Sequence, residues 1–323
     1  ISSFAALPGV DMQVDYGAES RRLVVMNRHT GEVLWSRSAA LSFRHNSIAV
    51  GAGKIFCIDS LSPAKMFYIT RRGYKPMTKS VLYALDGKTG REIWRKDEGV
   101  FGTWLGYSEE YDALLQAGAR SRDRSMDEVH RGMTVYRGND GKVLWSQPRI
   151  DHRGPCMLHH RTILTQMFAL DLLTGEPVLR EHPITGQKVP WTFRRMYGCN
   201  SVIAGEHLLT FRSAAAGFFD LLRGGTGNMG GFKSGCTSNL IPADGVLNAP
   251  DYTRTCECSY QNQCSLAMIH MPDADEWTFS PFTWDGTRVQ RVGINLGAPG
   301  DRLAENGTLW LDHPSVGGES PGI

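Results

Sequence analysis

The sequence predicts an all-β fold, a β-propeller of four-stranded antiparallel blades. Three observations predict it: a turn motif repeated along the first half, apolar strand-like runs on either side of each copy, and abundant glycine. Glycine occupies 36 of 323 positions, more than the average of about 7%. Many tight turns need positive φ, which glycine adopts without steric cost.

The repeat carries most of the weight. Asn27-Arg28-His29-Thr30-Gly31-Glu32-Val33-Leu34-Trp35 aligns with Asp86-Gly87-Lys88-Thr89-Gly90-Arg91-Glu92-Ile93-Trp94. The third copy is Arg137-Gly138-Asn139-Asp140-Gly141-Lys142-Val143-Leu144-Trp145. The fourth is Asp171-Leu172-Leu173-Thr174-Gly175-Glu176-Pro177-Val178-Leu179, with leucine in place of tryptophan. An apolar strand such as Val81–Leu85 enters each unit, and an Asp or Asn side chain caps the turn. Glycine takes the left-handed position and an alternating strand leaves toward the tryptophan. One hairpin is too small to bury its own face, so copies must stack, with each Trp packing on the neighbouring copy. The glycines lie 59, 51 and 34 residues apart, one blade each with insertions. A blade of about 45 residues gives roughly seven blades, within a range of six to eight.

The second half keeps strand-like runs, at Ser201–Ala204, His207–Phe211 and Asn239–Ile241, but loses the signature. The propeller is expected over residues 1–312, with clear repeats in 1–180 and divergent, Cys-rich blades in 181–312. The Gly/Pro/Ser-rich residues 313–323 read as a linker toward a further domain. No long helix is expected; Asp112–Ala117, within the ambiguous stretch Ser108–Ala119, fits a strand.

Composition bounds the function. Hydrophobic residues make up 41% and charged residues 21% of the chain, with a net charge of +2 from 35 basic and 33 acidic side chains. That balance supplies no whole-chain drive toward nucleic acid. No apolar stretch approaches the roughly 18 residues of a membrane span.

The pattern Ala84-Leu85-Asp86-x-x-Thr89-Gly90-x-x-x-Trp94 resembles the pyrroloquinoline-quinone-like repeat of quinoprotein dehydrogenases and of the outer-membrane assembly lipoprotein of the same fold. The resemblance covers about the first 180 residues. It implies fold more than function, because proteins with and without the cofactor share it. The second half, with Tyr197-Gly198-Cys199-Asn200, Phe211–Asp220, Gly230–Cys236 and Asp251–Tyr260, resembles large exported multi-domain proteins of planctomycete-type bacteria. In those proteins the resemblance implies a following module of carbohydrate-binding type. Cys264 departs from the pattern, where a hydroxyl residue is expected.

For a quinoprotein dehydrogenase the resemblance would imply adjacent cysteines, a Ca²⁺ held by Glu, Asn and Asp, and a catalytic Asp. The sequence has no Cys-Cys pair, since Glu257 separates Cys256 from Cys258, so the quinone is disfavoured. Cys-x-x-Cys-His is absent, which excludes covalent c-type haem. No cofactor is predicted, although Ca²⁺ stays compatible with the resemblance.

Five of the seven cysteines fall between Cys199 and Cys264. Cys-x-Cys sends side chains to opposite strand faces and makes a poor zinc knuckle. Disulfides are preferred, for example Cys199 and Cys236 each pairing with one of Cys256 and Cys258. They would argue for a secreted, periplasmic or cell-surface protein. Cys57, within the apolar run Lys54–Ile58, reads as a core thiol. His159 and His160 lie in a strand-like run, so their rings should point apart. No metal site is expected there.

The remaining candidates line a common mouth where blade loops converge. Arg44, His45, Asn46, Trp104, Tyr107, Arg195, Tyr197 and Arg212 are the expected ligand-binding residues. Arginine pairs bidentately with carboxylate or sulfate, and aromatic rings stack on sugars. If the chain is a polysaccharide lyase or hydrolase acting on acidic sugars, His45, Tyr107, Arg195, Tyr197 and Arg212 are the catalytic candidates. The preferred reading is a non-catalytic exported scaffold that binds a polysaccharide or protein, beside other domains of the same polypeptide. A quinone-dependent oxidoreductase ranks third. The Gly-rich run Gly224–Gly231 lacks the Lys-Ser/Thr of a phosphate loop and reads as a plain loop or lid.

Overall fold

The computed structural model describes residues 19–61, 63–75, 79–118, 131–181, 186–193, 195, 198, 200–222, 224–229, 231–235, 239–250, 265–270, 289–296 and 301–313. The chain divides into two units, Ile1–Met268 and Ile269–Ile323.

In the first unit antiparallel sheets follow one another in chain order. The first sheet comprises β1 (Glu19–Met26), β2 (Val33–Gly51), β3 (Lys54–Asp59), β4 (Val81–Asp86) and β5 (Glu92–Lys96). β6 (Trp104–Ser108), β7 (Ala113–Ala117), β8 (Arg131–Arg137) and β9 (Val143–Asp151) form the second. The third holds β10 (Met157–His159), β11 (Thr162–Leu164) and β12 (Ala169–Asp171), extended by a bridge from Leu170 to Pro177. A two-stranded hairpin, β13 (Leu179–Glu181) with β14 (Lys188–Pro190), leads on. β15 (Ile203–Ala204), β16 (Leu208–Ser213), β17 (Ala215–Asp220) and β18 (Gly225–Asn228) form the fourth sheet. β19 (Ile241–Ala243), β20 (Val246–Ala249) and β21 (Leu266–Ile269) form the fifth. In the second unit, β22 (Arg291–Leu296) pairs in parallel with β24 (Thr308–His313), which pairs antiparallel with β23 (Arg302–Leu303).

The sheets of the first unit stack face to face, and strand periodicity shows how. Successive residues of a strand face opposite sides. Leu114 of β7 packs with Phe56, Ile58, Leu82 and Ala84 of the first sheet. Its neighbours Ala113, Leu115 and Ala117 pack instead with Ile163 and Leu170 of the third. Leu164 and Ala169 of the third sheet meet Leu209, Phe211 and Phe219 of the fourth. Ala216 on the opposite face of the fourth meets Leu240, just before β19, and Ala249 of the fifth. Strands buried on both faces read as continuous apolar runs, such as Ala113-Leu114-Leu115.

The long strand β2 serves two layers. Residues 33–38 and 43–44 pair with β1, and residues 48–51 with β3, while Phe43 pairs with both. The bend between them is fixed by Asp59, whose carboxylate accepts from the amides of Ala40, Leu41 and Ser42 at 2.6, 2.8 and 2.8 Å. Val25 and Trp35 of the leading hairpin then pack on Cys57 and Leu85.

Each tryptophan of the repeat docks on the turn of the next copy, as expected. The Nε1–H of Trp35, Trp94 and Trp145 donates to the carbonyls of Gly87, Gly138 and Leu172, at 3.1, 2.8 and 2.8 Å. Each ring lies over the glycine three residues further on. A Cβ at Gly90, Gly141 or Gly175 would sit 2.7, 2.9 or 2.7 Å from the indole. These glycines also have φ of 71°, 70° and 73°, so they meet two demands that no other residue meets together.

The turn itself is uniform. The amides of Gly31, Gly90, Gly141 and Gly175 donate to the carbonyls of Asn27, Asp86, Arg137 and Asp171. Asn27, Asp86 and Asp171 cap it through their side chains. Arg137 cannot do so, and there Asp112 from the β6–β7 turn accepts from the Asn139 amide at 3.1 Å.

A fifth copy sits in the second half, beyond the extent read from the sequence. Asp220 accepts from the Leu222 amide at 2.8 Å, the Gly224 amide donates to the Asp220 carbonyl, and Gly224 has φ 73°. The Gly-rich run is therefore not a loop throughout: Gly224 ends a turn and Gly225–Asn228 is strand β18. Gly227 is required because the Phe218 ring occupies the space of a side chain.

Among the described residues one short helix, α1 (Pro63–Arg71), lies between β3 and β4; the sequence does not single it out. Its Ile69 is fully buried. Cys57 and Cys156 are free, buried thiols. Burial pushes the Cys57 thiol up to about 12, and the Cys156 thiol further. Cys199, Cys236, Cys256, Cys258 and Cys264 lie outside the described residues. No helix among the described residues is long and apolar enough to cross a membrane.

Candidate functional site

The stacked sheets have two unlike ends. At one, which we term the turn end, the first turn of a sheet bonds to its second. The amides of Gly87, Gly138, Leu172 and Leu221 donate to the carbonyls of Gly53, Asp112, Arg161 and His207 in four successive sheets. At the other, the loop end, the chain passes from sheet to sheet, and most of the buried polar side chains gather there.

Those side chains mainly hold backbone. Gln116 accepts from the amides of Phe101 and Gly102 and donates to the Gly99 carbonyl and the Tyr136 hydroxyl. Thr165 accepts from Met167 and Phe168 and donates to the Phe168 carbonyl. The Asn200 carbonyl accepts from Arg195 Nη1 at 3.0 Å and from the Arg212 amide at 3.1 Å, while its amide donates to Ser234 Oγ at 3.0 Å. Buried donors and acceptors need such partners, because unsatisfied ones cost about 1–3 kcal/mol each.

The expected binding residues divide between the ends. Arg44, His45, Asn46, Trp104, Arg195 and Arg212 sit at the loop end, on or beside the first, second and fourth sheets. Arg44 is 2% exposed and Arg212 1% exposed. Arg44 lies 3.7 Å from the buried Glu19 carboxylate, which also pairs with Lys65 of α1. The helix thus supplies one charge of a buried triad at this end. Trp104 packs against the core between the second and third sheets. Arg195 is held by Asn200, and Gly198 lets that loop abut the Arg212 carbonyl. His45 and Asn46 are exposed, with His45 Nε2 2.7 Å from Ser20 Oγ. Tyr197 lies outside the described residues.

Tyr107 belongs to the opposite end. Its ring lies against Phe56, centroids 4.7 Å apart, and its hydroxyl donates to Asp112 Oδ1 at 2.7 Å. Burial and the Asp112 carboxylate hold its phenol well above the usual tyrosine range. That chemistry suits a turn brace and opposes service as a base.

Reading of the sequence missed Glu19, Asp59, Gln116, Asn200 and Ser234. For Gln116 a signal existed, because a lone amide inside Ala113-Leu114-Leu115-Gln116-Ala117 must find partners when buried. It also separated His159 from His160. Strand alternation fails there because His160 is the first turn residue with φ 48°, and the two rings meet at 4.8 Å.

No family model and no curated protein matches the chain. Among solved structures 142 chains match. BamB from Moraxella catarrhalis is 16% identical, with 72% of this chain and 61% of that chain covered and a TM-score of 0.44. The Neurospora crassa Pan2 WD40 domain is 12% identical, with 64% and 58% covered and a TM-score of 0.39. The quinohemoprotein alcohol dehydrogenase ADHIIG from Pseudomonas putida HK5 is 13% identical, with 62% and 41% covered and a TM-score of 0.33. The chain thus spans less than two thirds of the length of each.

Proposed function

We propose that the chain is an exported propeller module of the pyrroloquinoline-quinone-like repeat type, whose successive sheets are blades, and that it serves as a non-catalytic scaffold for a polysaccharide or protein partner. The observation that supports this most is the placement of Arg44 and Arg212. Both were expected to face a ligand, and both are all but completely buried. Arg44 sits beside the Glu19 carboxylate, and the Arg212 backbone is tied to Asn200. Guanidinium groups buried to this degree are not available to neutralise a substrate carboxylate. Tyr107, at the turn end, cannot join them.

Among the described residues no pair of thiols supports a quinone cofactor. Cys57 and Cys156 belong to separate core clusters, and the sequence has no adjacent cysteines. Among the described residues of this set, His45 and Asn46 are the fully exposed side chains, while Trp104, Tyr107 and Arg195 are half-buried.

The test is an assay of the purified chain on uronate polysaccharides, following absorbance of unsaturated product, beside a binding screen on the same polymers. Binding without turnover is the expected result. Turnover that His45→Ala abolishes would replace the scaffold reading with a lyase.

A further inference from the structure

Three consecutive sheets bring metal-ligating side chains together at the turn end. The β10–β11 turn contributes His159 and His160, the β15–β16 turn Glu206, and the β6–β7 turn Glu110. His160 occupies a position whose equivalents in sister turns are Ala52, Asp112 and Asp244, all with φ between 47° and 49°. The left-handed backbone is thus a property of the turn. What is particular to this copy is the imidazole it carries, beside a second imidazole.

From these contacts we propose that His159, His160 and Glu206 form a binding site for a divalent transition ion of the zinc class, with Glu110 orienting His160. One ligand atom from each of the three lies within 4.8 Å of the others. A zinc ion about 2.0–2.1 Å from nitrogen and oxygen ligands needs them somewhat closer, a movement that these largely exposed side chains allow. His160 Nε2 is already 2.9 Å from Glu206 Oε1, and its Nδ1 is 3.8 Å from Glu110 Oε2.

His159 is prepared in a way that proton pairing alone does not require. Its Nε2–H donates to the Glu206 backbone carbonyl at 2.8 Å, which fixes the tautomer and leaves the Nδ1 lone pair for a ligand. A carbonyl or carboxylate on the second ring nitrogen is the usual outer support of a metal-bound histidine. Two imidazoles and a carboxylate suit zinc rather than calcium or magnesium. Three protein ligands leave one coordination position for water. The ion would staple the second, third and fourth sheets.

The experiment uses the full chain without a histidine tag, stripped with chelator and titrated with Zn²⁺ against a chromophoric competitor at neutral pH. Saturable 1:1 binding is expected, with a rise in Tm because the ion binds only the folded chain. His160→Ala and Glu206→Gln should each weaken it by about tenfold or more, and Glu110→Gln by a similar factor if it acts as outer support. Circular dichroism of the metal-free variants, matching the parent, separates ligand loss from misfolding. Co²⁺ in place of Zn²⁺ should show nitrogen and oxygen ligation with no thiolate charge-transfer band. Absence of saturable binding, or binding that both His160→Ala and Glu206→Gln leave unchanged, overturns the site. A thiolate band would move the ion to the cysteines.

Discussion

Gly31, Gly90, Gly141 and Gly175 share one backbone conformation and differ in what lies over them. A Cβ at Gly31 would meet nothing within 4 Å, whereas the other three carry an indole. Alanine at Gly31 should therefore cost only the left-handed penalty, about 1–2 kcal/mol. Alanine at Gly141 adds overpacking against Trp94, about 1–3 kcal/mol more. Urea denaturation of the two variants measures the difference, and equal losses would show that no ring lies on Gly141. Arg44 offers a second contrast. Removing one partner of a buried charge cluster costs about 3–5 kcal/mol, so Arg44→Ala should destabilise the chain strongly, a loss that a ligand-facing arginine would not show. Cys57 gives a pH prediction. Its folded thiol titrates at about 12 instead of the ordinary 9.0. A raised folded value means that its contribution is complete below pH 9 and is lost as pH climbs toward 12. Cys57→Ala should flatten that alkaline decline. In the native protein at neutral pH, mass spectrometry should find Cys57 and Cys156 unalkylated.

The element that recurs is a turn of five residues, and its legibility depended on the large apolar residue beyond it. Four copies stood out because glycine and a large apolar residue keep a fixed spacing. The fifth, Asp220-Leu221-Leu222-x-Gly224, repeats Asp171-Leu172-Leu173-x-Gly175 almost letter for letter. It escaped because Asn228, not a large apolar residue, stands four positions after Gly224, and Gly-Gly-Thr-Gly obscured the strand. The third copy was legible without its cap, and the structure supplies one from Asp112. Helix α1 was illegible for a different reason: nine residues with an apolar side packed locally leave little periodic signal, and only Ser62-Pro63 hints at a start. Asp220→Ala should cost about 1 kcal/mol through the lost side-chain bond. Asp140→Ala, whose carboxylate holds Lys142 outside the cap position, should leave the turn intact. Comparing their thermal midpoints tests whether position 220 belongs to the repeat.

At the scale of the first unit, sequence patterning revealed strands and turns, and alternation assigned each face to the neighbour before or after. It could not reveal which polar side chains close the loop end, since Arg195, Asn200, Arg212 and Ser234 come from segments that only the stacking brings together. Nor could it separate Tyr107 from Arg212, because both stand in strands and only strand direction puts them at opposite ends. All of this depends on neighbour-to-neighbour docking of tryptophan on glycine. The most direct test is a double-mutant cycle on unfolding free energy, with Trp94→Ala combined with Gly141→Ala. Contact predicts a coupling of about 1–3 kcal/mol, with Gly141→Ala in the Trp94→Ala background costing no more than Gly31→Ala in the parent. Trp94→Ala with Gly175→Ala, a pair that does not touch, should be additive. Additivity of Trp94 with Gly141 would contradict the stacking of consecutive copies.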